Sequence, residues 1–181
     1  MATVTIDIDT DSYTQSDSPD TNFGTSSALE LRDIPSGVKN MFLYADILAS
    51  VPSGATIDSA TLRVWFNSGT SPVKCESVAA AWVETTITHN NQPGITGAIL
   101  STVTISVSGS ETAHDWDVKQ AVQDIVYSAL TNNGFRLAHA ETGGSSASNA
   151  RSSDYPTAGV RPDLIITWHT TRAGRGYFLF L

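Results

Sequence analysis

Short runs in which apolar and polar residues alternate are the feature that most constrains the fold of this 181-residue chain. In the first run, Val4, Ile6 and Ile8 alternate with polar residues, so one face of a strand can enter a core while the other meets solvent. Clusters of Ser, Gly, Asn and Pro separate this run from similar ones at 28–32, 40–47, 57–66, 73–82, 100–107, 134–139 and 164–169. The pattern predicts about ten short strands in a single antiparallel β-sandwich, an all-β, jelly-roll-like fold.

One segment follows the period of a helix instead. Within residues 117–130, apolar side chains recur at spacings of three and four and form one stripe. Asp117 is suited to cap the first turn with Gln120 in a capping box, and residues 132–134 are suited to end the helix. We expect one short α-helix across an edge or end of the sandwich, and a polar surface loop at 143–149.

Composition and charge limit the function. With 40% hydrophobic residues, residues 1–170 can form one domain around one core. The net charge is −8 and the ten Lys and Arg residues are scattered, so neither nucleic acid nor an anionic membrane is an expected partner. Cys75 is the only cysteine, which excludes an internal disulfide, and the alternation around it predicts a structural thiol.

An ordered set of motifs runs from about Asp11 to Trp168. It comprises Asp-Ser-Tyr at 11–13, Ser-Pro-Asp-Thr-Asn-Phe-Gly at 18–24, Ala-Asp-Ile at 45–47, the Pro-Ser-Gly-Ala stretch at 51–64, the Trp-to-Pro stretch at 82–93, Asp-Val at 117–118, Asn-Gly-Phe at 133–135 and the closing stretch at 161–167. With these motifs in this order, the chain resembles the DNRLRE-type β-sandwich domains, which overlap carbohydrate-binding module family 96.

The resemblance implies a binding or stabilising domain rather than a catalyst. Similar domains occur on polysaccharide-degrading enzymes, in cell-surface proteins and in bacteriophage virion proteins. The chain departs from the family pattern at His89, where a second Trp is common, and at residues 42–46, which lack the usual Arg. The missing Arg argues against carrying over a basic ligand groove from alginate-binding members.

The aromatic and charged residues supply one candidate glycan site. Arg151, Asp154 and Tyr155 share a polar loop, and Trp65 alternates with residues expected to be buried, so its ring is expected outside. Ordinary loop structure is the alternative interpretation of this cluster. No paired-carboxylate, nucleophile-elbow, P-loop or dinucleotide motif is recognisable, so the chain is not expected to be an enzyme.

Asp7, Asp9 and Asp11 are the candidate metal ligands, with calcium as the cation. An EF-hand loop starting at Asp7 would need Gly and Glu where Ser12 and Ser18 stand, so that motif fails. A solvated strand face and a calcium ion shared with a neighbouring loop are the two alternatives. No other cofactor is expected.

The C-terminal tail, residues 171–181, continues past the family pattern. It ends in five apolar residues, which would promote aggregation if they were exposed: Tyr177, Phe178, Leu179, Phe180 and Leu181. They are expected either to pair as a last strand of the domain or to attach to another subunit by strand addition.

Two functions follow from these observations. The favoured one is a phage virion accessory protein on the virion surface, for capsid decoration or on a tail, which attaches to other virion subunits, forms a homo-oligomer and binds surface polysaccharide. It is favoured by the apolar tail and by a start, residues 1–7, without the features of a secretory signal. The alternative is an extracellular carbohydrate-binding module of a secreted polysaccharide-degrading enzyme.

Overall fold

A computed structural model describes residues 1–140 and 145–170 of the chain. These residues form eleven strands, one α-helix and one 3₁₀ turn. The elements are β1 (Ala2–Asp7), β2 (Thr10–Gln15), β3 (Ala28–Ile34), β4 (Gly37–Tyr44), β5 (Thr56–Ser68), β6 (Pro72–Val78), β7 (Ile95–Thr104), β8 (Thr112–Asp117), α1 (Lys119–Val126), β9 (Phe135–His139), β10 (Ser146–Arg151), the 3₁₀ turn (Ala158–Val160) and β11 (Asp163–His169).

The strands pair antiparallel throughout and form one curled sheet. Its order is β1-β11-β5-β10-β3-β4-β9-β6-β7, with β2 added to β4 and β8 added to β5. The curled sheet encloses one main hydrophobic core. This arrangement confirms the all-β sandwich with one short helix.

Strand β5 organises one layer because both of its edges are paired. Leu62 lies opposite Leu164 of β11 on one side and opposite Trp116 of β8 on the other. Trp116 is fully buried, and its indole N–H donates to the carbonyl oxygen of Val73 in β6 at 3.0 Å. A buried hydrogen bond therefore ties β8 to β6 across the core.

Strand β4 is covered on both of its faces. Met41 and Leu43 face the main core, whereas Phe42 points to the opposite side and packs with Val78 and Ile87 in a second, smaller cluster. The loop that follows β6 brings Ile87 onto this outer face. A stretch of β4 is therefore apolar on consecutive residues, as expected for a strand buried on both faces.

Three strands were not predicted from the sequence: β2, β8 and β10. The prediction of a surface loop at 143–149 was wrong for residues 146–149, which belong to β10. Ser148 and Ala150 are fully buried there, and β10 pairs with both β3 and β5. In β2, the polar residues Asp11, Ser12 and Thr14 are buried. The strand therefore lacks the alternation of apolar and polar residues on which the prediction depended.

Several boundaries also differ from the prediction; β4 and β7 begin and end earlier than residues 40–47 and 100–107. The helix is shorter than residues 117–130, because Asp117 ends β8 and Val118 is the N-cap residue. Asp117 nevertheless accepts a hydrogen bond from the backbone N–H of Lys119 at 2.9 Å. Strand β6 ends at Val78 rather than continuing to Trp82.

Cys75 of β6 is buried, and this burial raises the pKa of its thiol well above the usual value, as expected for a structural thiol.

The C-terminal tail lies outside the described residues. The domain boundary at residue 170, the last strand and the attachment role of Tyr177, Phe178, Leu179, Phe180 and Leu181 therefore stay predictions. Within residues 1–140 and 145–170, no helix has the length and apolar character needed to span a membrane.

Gly134 fits its place only without a side chain. Its φ is +83°, and a methyl group there would overlap the carbonyl oxygen of Leu43. Gly54 has a similar φ of +75° but open space around it.

We predict that Gly134→Ala lowers the free energy of unfolding by about 3 kcal/mol, whereas Gly54→Ala lowers it by about 1 kcal/mol, as backbone strain alone requires. Urea denaturation measures both values, and equal losses would contradict the overlap argument.

Candidate functional site

A groove of about 480 Å³ lies where the loop of residues 79–94 crosses the end of β4. Its lining combines two aromatic rings with a carboxylate, amides and hydroxyl groups: Thr10, Tyr44, Ala81, Trp82, Val83, Glu84, Thr85, Asn132 and Asn133. We call it the Tyr44 groove. Its volume lies within the range of roughly 300–1,000 Å³ that is typical of small-molecule sites.

The two aromatic residues of the groove are positioned in different ways, Tyr44 by its place in a strand and Trp82 by contacts of its ring. Tyr44 is the last residue of β4 and pairs with Thr10 of β2. Trp82 meets Phe42 edge to face, with 5.9 Å between the ring centroids, and its indole N–H donates to the carbonyl oxygen of Asn133 at 3.0 Å. Both residues are half-buried, so each ring keeps surface for a ligand, and the two contacts of Trp82 fix the position of its ring.

The motif at residues 18–24 supports this wall of the groove. The side-chain amide of Asn22 donates to the carbonyl oxygens of Glu84 and Ile87, both at 2.7 Å. Gly24 lies so close to the backbone of Glu84 that a side chain there would overlap it. Phe23 stacks on Tyr13 of β2, with 4.2 Å between the ring centroids. This loop therefore fixes the backbone that presents Glu84.

A buried carboxylate links the groove to the turn after β10. The backbone N–H of Asp11 donates to Oε1 of Glu84 at 2.9 Å, and Oδ2 of Asp11 accepts from the backbone N–H of Ser153 at 2.7 Å. Burial raises the pKa of Asp11 to about 7, and the charges of Glu84 and Asp154 add to this effect against the opposing Ser153 hydrogen bond. Burial also raises the pKa of Glu84, with further contributions from Asp154 and Asp9.

The surroundings of Tyr44 are acidic as well. Burial raises the pKa of the Tyr44 hydroxyl, and the charges of Asp46 and Asp9 raise it further. Asp9 and Asp46 are both exposed. Among the residues that the structure describes, no Lys, Arg or His lines the Tyr44 groove.

The predicted glycan residues divide between two places. The guanidinium carbon of Arg151 lies 4.0 Å from the centre of the Tyr155 ring, and its Nε donates to Glu111 at 2.7 Å. Because Ala150 pairs with Phe66, Arg151 and Trp65 come next to each other on the outer face of the sheet. We call Trp65, Glu111, Arg151 and Tyr155 the Arg151 cluster. Asp154 acts instead on Asp11 and Glu84.

The Arg151 cluster offers less to a ligand than the Tyr44 groove does. The charge of Arg151 is already balanced by Glu111, and its guanidinium plane already covers Tyr155. A ligand would have to displace these contacts before it could replace them. The glycan-binding role of Trp65, Arg151, Asp154 and Tyr155 stays a prediction.

The alternating aspartates Asp7, Asp9 and Asp11 do not lie on one continuous strand in the structure. Strand β1 ends at Asp7 and β2 begins at Thr10, so the three carboxylates do not share one strand face. Asp7 pairs with Asp163 and is exposed, whereas Asp11 is buried beside Ser153. In the described part of the chain, no group of three or more His, Cys, Asp or Glu side chains is arranged to hold a metal ion. Calcium binding by Asp7, Asp9 and Asp11 stays a prediction without support from this arrangement.

A larger groove of about 620 Å³ lies between α1 and β7. Its lining is drawn from residues 96–100 and 117–121 with Ser77, Asp124 and Leu130, and contains no aromatic side chain. It therefore lacks the flat, rigid apolar surface that the Tyr44 groove provides, and we place the candidate site at the Tyr44 groove.

Sequence reasoning did not identify the Tyr44 groove. It placed Trp82 at the end of a core strand and did not connect Tyr44, Glu84 and the amides of Asn132 and Asn133. The available signal was the motif at residues 82–93, whose first four residues form part of the groove lining.

Comparison with known proteins gives the same family as the ordered motifs of the sequence. The family model described as carbohydrate-binding module family 96 matches residues 2–168. The match covers most of the chain and includes all residues of the Tyr44 groove. A search of curated proteins gave no match.

The raised pKa of Asp11 makes the stability of the fold pH-dependent. Between about pH 4 and pH 7 the folded chain holds a proton that the unfolded chain has lost, so stability falls as the pH rises through this window. Asp11→Asn keeps an oxygen for the Ser153 N–H and carries no charge. We therefore expect this variant to be more stable than the parent chain by about 2 kcal/mol at pH 8, and to lose most of that advantage by pH 5.

Chemical denaturation at both pH values measures this difference. Asp154→Asn is the control, because it removes a nearby charge from an exposed side chain and is expected to have a small effect at either pH. An Asp11→Asn variant that is less stable than the parent by the same amount at both pH values would contradict the assignment.

Proposed function

The chain belongs to carbohydrate-binding module family 96, and we propose that it binds carbohydrate in the Tyr44 groove. The observation that carries the proposal is the placement of Tyr44 and Trp82 in one groove of about 480 Å³, with hydrogen-bonding groups beside them. A module of this family is non-catalytic by itself, and such modules are often parts of secreted or extracellular proteins.

The chemistry of the groove suits a sugar ring. A sugar presents an apolar C–H face, which packs on an aromatic ring, and an edge of hydroxyl groups, which need hydrogen-bond partners. Tyr44 and Trp82 offer the aromatic surface, while Glu84, Asn132 and Asn133 offer polar atoms at its border. Mostly apolar lining with a few placed polar groups is the usual composition of a specific small-ligand site.

Rigidity of the groove favours binding. Trp82 is held by Phe42 and by the Asn133 carbonyl oxygen, and Glu84 is held by Asn22 and Asp11. A ligand therefore has little side-chain freedom to freeze on the protein side, which lowers the entropic cost of association.

The proposed role is binding without catalysis. Hydrolysis of a glycosidic bond ordinarily requires two carboxyl groups that face each other across the bond. Glu84 is the only carboxylate in the groove lining among the described residues, and its Oε1 already accepts the backbone N–H of Asp11.

The virion accessory role has no support in the family match or in the described residues. It depended chiefly on the C-terminal tail, which lies outside the residues that the structure describes. Attachment to virion subunits, homo-oligomer formation and a virion location therefore stay predictions, and carbohydrate binding is the function that the geometry favours.

Two tyrosines allow a matched test of the site. Tyr44 belongs to the Tyr44 groove and Tyr155 to the Arg151 cluster, and both side chains are half-buried. We predict that the parent chain is retained by at least one member of a panel of immobilised neutral, amino-sugar and uronate polysaccharides. Tyr44→Ala should weaken that binding about tenfold or more, because it removes a stacking surface, and Tyr155→Ala should leave it within about twofold.

Affinity electrophoresis on gels containing the retained polysaccharide measures these changes, and circular dichroism confirms that each variant is folded. If Tyr155→Ala abolishes binding and Tyr44→Ala does not, the Arg151 cluster is the site. If the parent chain is retained by none of the polysaccharides, the proposed function is wrong.

A further inference from the structure

The Tyr44 groove has a marked negative charge. Glu84 lines it, and the exposed residues Asp9 and Asp46, which lie one residue from Thr10 and two residues from Tyr44 of the lining, raise the pKa of the Tyr44 hydroxyl. Asp9 and Asp154 act in turn on Glu84. Four carboxylates therefore influence one small groove that has no basic side chain in its described lining.

Most of the basic side chains that the structure describes are engaged in ion pairs away from the groove; of the others, Arg161 donates to the carbonyl oxygen of Tyr155 and Lys119 lines the larger groove. In the described part of the chain, ion pairs join Arg32 to Asp17, Lys39 to Glu30, Arg63 to Asp115, Lys74 and Arg136 to Glu76, and Arg151 to Glu111. The three carboxylates accept hydrogen bonds only from uncharged donors among the contacts that the structure shows: Glu84 accepts from the Asp11 N–H, Asp9 from the Thr10 hydroxyl, and Asp46 from the Ala49 N–H.

A half-buried carboxylate without a basic partner, such as Glu84, favours ligands with a positive charge and disfavours ligands with a negative charge. Removing water from Glu84 weakens its solvation, and the nearby carboxylates repel its charge, which is why its pKa is raised. A ligand with an ammonium group would relieve both effects through a charge-assisted hydrogen bond. A ligand with a carboxylate would add another negative charge at short range.

We infer that the Tyr44 groove selects sugars that carry a free, protonated amino group, as in a glucosamine polymer, over neutral sugars and over uronate polymers. This inference rests on the proposed function and names the substrate class for the same site. The sugar ring packs on Tyr44, and its ammonium group donates to Glu84, with Asp9 and Asp46 adding attraction at longer range. The ring supplies affinity that every sugar shares, and the carboxylates supply the selectivity.

Three short oligosaccharides of equal length test the inference: a β-linked glucosamine oligomer, its N-acetylated counterpart and a uronate oligomer. Isothermal titration calorimetry of the full chain at mildly acidic pH and low salt gives each affinity. We expect the glucosamine oligomer to bind about tenfold more tightly than the N-acetylated one, because only its ammonium groups can form a charge-assisted hydrogen bond with Glu84. The uronate oligomer should bind most weakly.

A matched pair of variants separates the groove from the overall charge of the protein. Glu84→Gln and Glu111→Gln each remove one negative charge, but only Glu84 belongs to the groove. We expect Glu84→Gln to reduce the preference for the glucosamine oligomer to about threefold or less, and Glu111→Gln to leave it unchanged. Equal reduction by both variants would assign the preference to net charge and overturn the inference.

The remaining outcomes distinguish this inference from the proposed function. If the N-acetylated oligomer binds as tightly as the glucosamine oligomer, and Tyr44→Ala weakens both, the groove binds carbohydrate but the amino-group selectivity is wrong. Tightest binding of the uronate oligomer has the same meaning. If none of the three oligomers binds, the inference is wrong, and retention on the polysaccharide panel decides the proposed function separately.

Discussion

The candidate site depends on the burial of Phe42 on the outer face of β4. Together with Val78 and Ile87 it forms an apolar cluster outside the main core, and burying each such side chain contributes about 1.5–3 kcal/mol. This cluster holds the irregular loop of residues 79–94 against the sheet. Asn22 then donates to two carbonyl oxygens of that loop and ties it to the motif at residues 18–24. A segment without regular secondary structure thereby becomes a fixed wall for the Tyr44 groove.

The strands could be predicted from the sequence wherever the buried residues are apolar and the exposed residues are polar. Alternation of Leu62, Val64 and Phe66 with partly exposed residues identified β5, and the same signal identified β1, β3 and β11. It failed for β10, where Ser148 and Ala150 are buried for their small size rather than their hydrophobicity. A period-two pattern of small residues has too little contrast to reveal the inward face.

The site was less predictable because it is assembled from distant parts of the chain. Arg151 and Tyr155 were predicted together, since they are near in sequence and local spacing sufficed. The Tyr44 groove needs the loop of residues 79–94 to turn back over β4, and Asn22 to reach Glu84 from 62 positions away. Trp82 looked like a core residue because the alternation of β6 continues past the true end of that strand. Tertiary packing, rather than local pattern, decides where its ring lies.

Hydrogen bonds to Asp11 explain why several carboxylates lie close together near the Tyr44 groove. Asp11 joins β2 to Glu84 through its N–H and to the turn at Ser153 through its carboxylate, so one residue connects three segments near the groove. That connection places Asp11, Glu84 and Asp154 close together, and their mutual repulsion opposes folding whenever all three are ionised. A binding site often retains such a local conflict because a ligand can resolve it. Glu84 belongs both to this repelling group and to the lining of the Tyr44 groove, so one carboxylate that opposes folding is also the group that would attract an ammonium group.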